Sequence, residues 1–337
     1  LTESANVVTG QAREWPGGIL QVRIPLPFSL KWVNSYLLQD EQGYTLVDPG
    51  LHTEQALDVW KQVLGQERIA FERIHSIVLT HQHPDHFGLA GWFQQQTGAP
   101  VYMSEASYAY TRRLWGEERS FAADLTRLYR LHGMPEELQD DIRDHLESFV
   151  ARVSPMPNVS FIQAGDTLQM GSSSWLAIDA PGHAFGQLCF YDGNRKHMLC
   201  GDQVLPDITP NISLVPGEEE DPLASFLRSL QELAAYEVEL AFPGHREPFA
   251  DYQGRIHALL AFHDRRLAYI LELLKDRPQH GFALCQTLFG ARIAGNAHNL
   301  RFAMSETLAH LVHLERQSKV RSREGDGVQI YEITDIA

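Results

Sequence analysis

The chain is short of positive charge, of cysteine and of long apolar runs, and each shortage removes a class of protein. Its 337 residues carry 28 lysines and arginines against 43 aspartates and glutamates, a formal charge of −15. Tracking a phosphate backbone needs clustered cations, so nucleic acid is not the expected partner, though a local basic patch stays open. Nowhere do about 18 apolar residues run together, so no membrane-spanning helix is expected. Residues 1–18 lack the basic and apolar regions of a secretory leader; because the chain starts at Leu1, a trimmed leader stays open. Cys189, Cys200 and Cys285 show neither CxxC nor disulfide spacing, which suits a reducing cytoplasm. No internal repeat or low-complexity segment is present. What is there, 44% hydrophobic and 21% charged residues, suits a soluble globular protein of one large domain, alone or with a smaller one.

Strand and helix signals alternate through the first part of the chain. Residues 19–26 alternate, 35–38 lead to a turn at 40–43, and 44–47 form a further strand that ends at Asp48-Pro49-Gly50. Ala56, Val59, Trp60, Val63 and Leu64 share one helical face, with Gly65 as the expected stop. A buried strand is expected over 76–80 and a helix over 87–97, capped by Gly98. This alternation is an α/β signature. From about 105 to 152 the pattern is helical, aromatic and charged, broken at Gly133-Met134-Pro135. It reads as an insertion, either a packed helical hairpin or a wall of the substrate site. Strands resume at 159–162 and 175–178, and a hairpin joins 187–191 to 196–200. Asp221-Pro222 opens a helix with cap and first residue in the preferred order, and 240–243 is a short strand. Helices over 256–275, 283–289 and 301–317 and a hairpin at 320–323 and 328–333 complete the chain.

The decisive string is His81-Gln82-His83-Pro84-Asp85-His86, between a buried strand and a helix. Three imidazoles and a carboxylate therefore gather at one strand end, where α/β sites are built. Imidazole suits zinc, and carboxylate adds a harder oxygen ligand. Four further strand ends carry a ligand-type residue beside a glycine: Asp48 before Pro49-Gly50, Gly182-His183, Gly201-Asp202 and Gly244-His245. Each is weak alone; together with the first string they are strong. Among the other histidines, His132 and His145 in the insertion and His257, His263, His310 and His313 on the C-terminal helices have no ligand spacing and read as packing residues.

In these motifs the sequence resembles the metallo-β-lactamase-fold hydrolases, over roughly residues 19–249. The resemblance implies a four-layer αβ/βα sandwich with two metal ions at one edge of its sheets. It assigns His81, His83 and His183 to one zinc, Asp85, His86 and His245 to the second, and Asp202 as the bridge. Asp48 is expected to hold the metal-bearing loops by hydrogen bonds rather than to ligate. Fe or Mn in place of zinc stays open. The implied activity is hydrolysis by a metal-bound hydroxide, with Asp85 orienting the nucleophile or passing its proton to the leaving group. Tyr36, Tyr108, Tyr110 and Tyr129 are further proton-donor candidates, each read first as packing.

The name β-lactamase does not carry over to activity, since common β-lactamases use a cysteine where Asp202 stands and Cys200 lies two residues early. The site is closer to the glyoxalase II, lactonase and ribonuclease-related branches. Residues 1–255 are read as the catalytic domain, and 256–337 as a small tail resembling the winged-helix-like region of the β-lactamase-like protein 2 group. The tail mixes Lys319, Arg321 and Arg323 with Glu324 and Asp326, and reads as a packing or homodimer module rather than a nucleic-acid grip. The segment 205–212 after Asp202 is expected along the mouth of the site, and with the aromatic insertion suggests an enclosed, partly apolar pocket. A small carboxylic ester, lactone or thioester is therefore the expected substrate. A phosphodiesterase or ribonuclease, and a non-catalytic binding module, are the alternatives.

Overall fold

A computed structural model describes residues 10–116 and 120–334 of the chain. The first nine residues, on which the question of a leader bears, lie outside the described residues.

Two sheets face each other. The first holds seven strands in sequential order: β1 (Ala12–Trp15), β2 (Ile19–Pro25), β3 (Trp32–Gln39), β4 (Tyr44–Val47), β5 (Ile74–Val78), β6 (Val101–Ser104) and β7 (Val159–Ile162). The second is ordered β12-β11-β10-β9-β8, from β8 (Thr167–Met170), β9 (Ser173–Asp179), β10 (Leu188–Asp192), β11 (His197–Gly201) and β12 (Leu240–Pro243). Successive strand side chains point to opposite faces, and the cores divide accordingly. Tyr36 and Leu38 join Trp175, Phe190, Leu199 and Phe242 in the core between the sheets. Leu37, Met198 and Cys200 turn outward into a second core with the flanking helices. On the first sheet that layer includes α1 (Glu54–Gln66), whose Trp60 and Val63 are buried. Phe226 of α7 (Pro222–Leu233) and Tyr252 of α8 (Tyr252–Asp276) belong to the same outer core. The α/β sandwich expected from the motifs is the observed one.

Several local expectations are corrected. Gly65 lies inside α1, where an added Cβ would meet nothing within 4 Å, so it does not stop the helix. The helix expected over 87–97 is two pieces, α2 (Pro84–Phe87) and α3 (Ala90–Thr97), while Gly98 does cap the second with φ 70°. The insertion is three α-helices, α4 (Glu105–Trp115), α5 (Phe121–Leu131) and α6 (Glu136–Glu147), rather than two parts. Gly133, with φ 88°, makes the expected break between α5 and α6. Beyond α8, whose first turn contains residue 255, the tail comprises α9 (Gly281–Phe289), α10 (Ala297–Arg316) and an antiparallel sheet ordered β13-β15-β14. The expected hairpin is β14 (Val320–Gly325) and β15 (Val328–Ile333), to which β13 (Gln279–His280) adds a third strand. Among the described residues no helix is long and apolar enough to cross a membrane.

Candidate metal centre

Strand direction brings the candidate residues to one edge. β4 and β5 run parallel, so Asp48 and the His81–His86 string leave the first sheet on the same side. β9 and β11 are both antiparallel to β10, and β12 is parallel to β11. His183, Asp202 and His245 therefore leave the second sheet together. The sheets are tied at this edge: Leu188 N donates to Thr80 O at 3.0 Å, and Asn34 Nδ2 donates to Pro243 O at 2.9 Å and Arg246 O at 2.6 Å. Gly244 is required by closeness, since a Cβ there would lie 2.2 Å from Asp202 Oδ1.

Asp48 organises the first loop. Its Oδ1 accepts the Thr80 N–H at 2.8 Å; its Oδ2 accepts the Thr80 hydroxyl at 2.7 Å and His86 Nδ1–H at 2.9 Å. With its proton committed to Asp48, Thr80 Oγ1 accepts from His81 Nδ1 at 2.9 Å. His183 Nδ1 donates to Asn211 O and His245 Nδ1 to Trp32 O, both at 2.9 Å. So four rings have one nitrogen fixed on an acceptor, and the other, Nε2, faces inward. This division of roles sets ring orientation in metal sites.

The inward atoms converge in three groups: His81, His83 and His183; His81, His86 and Asp202; and Asp85, His86 and His245. His83 Nδ1 lies 3.0 Å from His81 Nε2 and 3.1 Å from His183 Nε2. Three nitrogens this close share at most one proton between a pair, whereas a cation satisfies all of them; a tetrahedral zinc with bonds of about 2.0–2.1 Å needs edges of roughly 3.3 Å. Asp202 lies between the groups, with Oδ2 3.6 Å from His183 Nε2 and 3.3 Å from His245 Nε2, and Oδ1 3.4 Å from His86 Nε2. His245 Nε2 is 3.2 Å from Asp85 Oδ2. Asp202 Oδ1, His86 Nε2 and His245 Nε2 are buried with no hydrogen-bond partner. Buried polar atoms are seldom left so, and an all-imidazole and carboxylate donor set fits divalent ions.

The electrostatics divide the cluster. Burial pushes His81, His83 and His183 down, His83 to about 3, so these rings are neutral at pH 7, the form in which an imidazole can ligate a metal. Burial also pushes His86 and His245 down, but the facing carboxylates outweigh it: Asp202, Asp48 and Asp85 for His86, and Asp202 and Asp85 for His245, which rises to about 10. Asp85 and Asp202, pushed up by burial, are held below the usual carboxylate range by those same imidazoles.

A cavity of about 270 Å³ is lined by His83, Asp85, His183, Asp202 and His245. Its walls come from distant stretches: Phe28 after β2; Tyr110, Trp115, Phe121 and Phe149 of the insertion; Leu205, Ile208 and Pro210 after Asp202; and His298, Arg301 and Phe302 of α10. The insertion is thus a wall of the cavity as well as a packed unit, and so is the tail, which the sequence assigns to packing or dimerisation alone. Of the tyrosines considered as proton donors, Tyr110 alone lines the cavity. Tyr36, Tyr108 and Tyr129 donate to Pro243 O, Pro157 O and Arg301 O respectively. Sequence reasoning missed His298, which stacks on Phe28 with centroids 4.6 Å apart, and Glu218 and Arg301; no local pattern marks any of them. It also missed the tie from tail to cluster. Asn211, whose carbonyl holds His183, donates its side chain to Phe302 O at 3.1 Å and to Glu306 Oε2 at 2.9 Å on α10.

Residues 33–245 match the family described as Metallo-beta-lactamase superfamily, and residues 267–334 match the Metallo-beta-lactamase-like, C-terminal domain. A metallo-beta-lactamase family protein from Thermus thermophilus is similar in structure, with a TM-score of 0.83 and 35% identity, covering 94% of this chain and 98% of that one. The "Probable metallo-hydrolase YqjP" of Bacillus subtilis is 27% identical over 310 residues, 90% of this chain and 94% of that protein. The atrochrysone carboxyl ACP thioesterase of Aspergillus fumigatus is 21% identical over 75% of this chain and 62% of its own length.

Proposed function

The chain belongs to the metallo-beta-lactamase superfamily and is a hydrolytic metalloenzyme, and on that premise we propose that it cleaves a small carboxylic ester, lactone or thioester at a two-zinc site. His81, His83 and His183 would hold one ion, Asp85, His86 and His245 the other, and Asp202 both, with Fe or Mn able to replace zinc. When bound, such ions polarise a substrate oxygen and lower the pKa of a coordinated water. Asp85 lines the cavity as an ionised carboxylate, fit to orient the attacking water and to carry its proton to the leaving oxygen or sulfur. Asp48 fixes the loop by holding Thr80 and His86. Phe28, Trp115 and Phe149 keep bulk water from the reacting atoms.

The observation that carries the acyl reading is the cavity itself: it is walled by aromatic rings and lined by helices of the insertion and the tail, and among the described residues lining it there is no row of cations along which a polymer backbone could run. Likeness to a thioesterase, although distant, lies on the same side. Membership in an enzyme family sets aside the binding-module alternative; a phosphodiesterase remains the competing reading. We read residues 1–255 as the catalytic domain and the tail, with its helices and three-stranded sheet, as winged-helix-like, here serving as a cavity wall. Three buried free thiols support a reducing, cytoplasmic setting. The test is hydrolysis by one zinc-loaded preparation, with and without chelator, of a thioester and a lactone beside a phosphodiester. Chelator-sensitive acyl hydrolysis is expected. Cleavage of the phosphodiester alone would replace the acyl reading.

A further inference from the structure

Among the described residues Arg301 has no counter-charge. It lies in the second turn of α10 and lines the cavity, and its Nε is buried without a hydrogen-bond partner. Among the described residues its guanidinium forms no hydrogen bond and no ion pair; its contact is the ring of Phe302, 4.0 Å from centroid to Cζ. The titratable groups around it are the hydroxyls of Tyr129 and Tyr110 and the rings of His145 and His298, all uncharged at neutral pH. Three other part-buried arginines are engaged: Arg113 donates to Pro216 O and Asp124, Arg255 donates to Leu205 O and Ile208 O, and Arg266 pairs with Glu306; Arg152, outside the cavity lining, has only the ring of Phe149. Taking a guanidinium out of water without a partner is costly, and five donors in a fixed fork match an oxyanion. The start of α10, its positive end, also faces the cavity through His298 and Asn299.

Two acids line the same cavity. Glu218 sits beside Tyr110 and Arg113, and burial pushes its carboxyl up to about 8, so it is mostly protonated at neutral pH. Burial pushes Glu219 up to about 7, and its hydrogen bond goes to Ser225. Neither pairs with Arg301.

We propose that Arg301 is an anion-binding subsite of the cavity, and that the substrate is an acyl ester or thioester bearing a second group, a carboxylate, away from the bond that is cleaved. This rests on the acyl-hydrolase reading above and specifies its substrate class. Arg301 is a specificity residue: it meets the remote carboxylate and not the reacting carbonyl, so its loss falls on KM more than on kcat.

The experiment pairs matched thioesters on the zinc-loaded full chain: succinyl, glutaryl and adipyl thioesters against neutral acyl thioesters of equal length. Wild type is expected to favour one carboxylate-bearing member by about ten- to hundredfold in kcat/KM, the range of a charge-assisted hydrogen bond. Arg301→Met should remove that preference through KM, with a much smaller change for the neutral thioesters; Arg301→Lys should keep part of it. The Arg301→Met variant should melt no lower than wild type, because the side chain it replaces makes no hydrogen bond or ion pair among the described residues. Wild type with no preference for the carboxylate, or a preference that survives Arg301→Met, would overturn the proposal. A binding measurement separates its failure from that of the acyl reading. Titration with glutarate and with butyrate should show about tenfold tighter binding of glutarate, lost in Arg301→Met. That result without thioester hydrolysis would keep the subsite and discard the acyl reading. Equal binding of the two acids would discard the subsite.

Discussion

On the floor of the cavity, four histidine rings each give one nitrogen to a fixed acceptor and turn the other inward. On its walls, segments from four distant parts of the chain supply aromatic faces around groups without partners among the described residues, including Trp115 Nε1, Arg301 Nε and Glu218 Oε1. The floor is over-determined, since these rings are oriented by bonds on their far sides. Such a site fixes the reaction class. The walls are under-satisfied, and what they lack, a ligand must supply. On the proposed reading, chemistry and substrate choice are carried by separate parts of the molecule, and changes to each should separate in measurement.

The largest effect is expected at the point the two halves of the floor share. Asp202→Ala should remove hydrolysis by more than the roughly 10–100-fold typical of an outer-shell partner, and lower metal content with the fold retained. Elemental analysis beside circular dichroism checks this; full activity would sink the bridging role. Asp48→Ala should come next, at about 10–100-fold in metal affinity or activity, because it frees both Thr80 and His86 Nδ1. A wall change should behave differently. Trp115→Ala should leave metal stoichiometry intact, raise KM and cost about 3–5 kcal/mol of stability as a buried aromatic truncation. Loss of metal in that variant would erase the distinction between floor and wall. The smallest effect is at Glu218. Burial lifts its carboxyl from the ordinary 4.5 to about 8, so across that window the folded state holds more protons than the unfolded. Stability from this group is complete below the unfolded value and is lost as pH rises through the folded one. Glu218→Gln should therefore flatten the fall in melting temperature between about pH 5 and about pH 8. An unchanged slope would show that the residue does not titrate there.

The floor was legible in the sequence, as were the walls from segment 205–212 and the aromatic insertion, but the wall supplied by the tail was not, for a physical reason. Ligands at strand ends come with local marks: a buried strand before them, a glycine beside them, and a spacing set by one loop. Gly244 illustrates this, because the cluster leaves no room for a Cβ. The strands β1 (AREW), β6 (VYMS) and β8 (TLQM) are not legible in the sequence, although the equally short β4, β7 and β12 are. Gly65 misled because an exposed glycine inside a helix looks in sequence like one that ends it. The split between α2 and α3 was hidden because Gly88 packs its backbone against Arg152 O, from the far end of the insertion, where a Cβ would lie at 2.6 Å. Arg301 and Glu218 could not be found from sequence at all. Their meaning lies in having no partner within a cavity assembled from distant segments.

The central claim is that the floor residues His81, His83, Asp85, His86, His183 and His245 hold two divalent ions across Asp202. The direct measurement is equilibrium dialysis of the full chain against zinc, followed by elemental analysis, for wild type and Asp202→Ala. Two ions per wild-type chain, and fewer than one in the variant, are predicted. A single ion in both proteins, or none in wild type, would contradict the account.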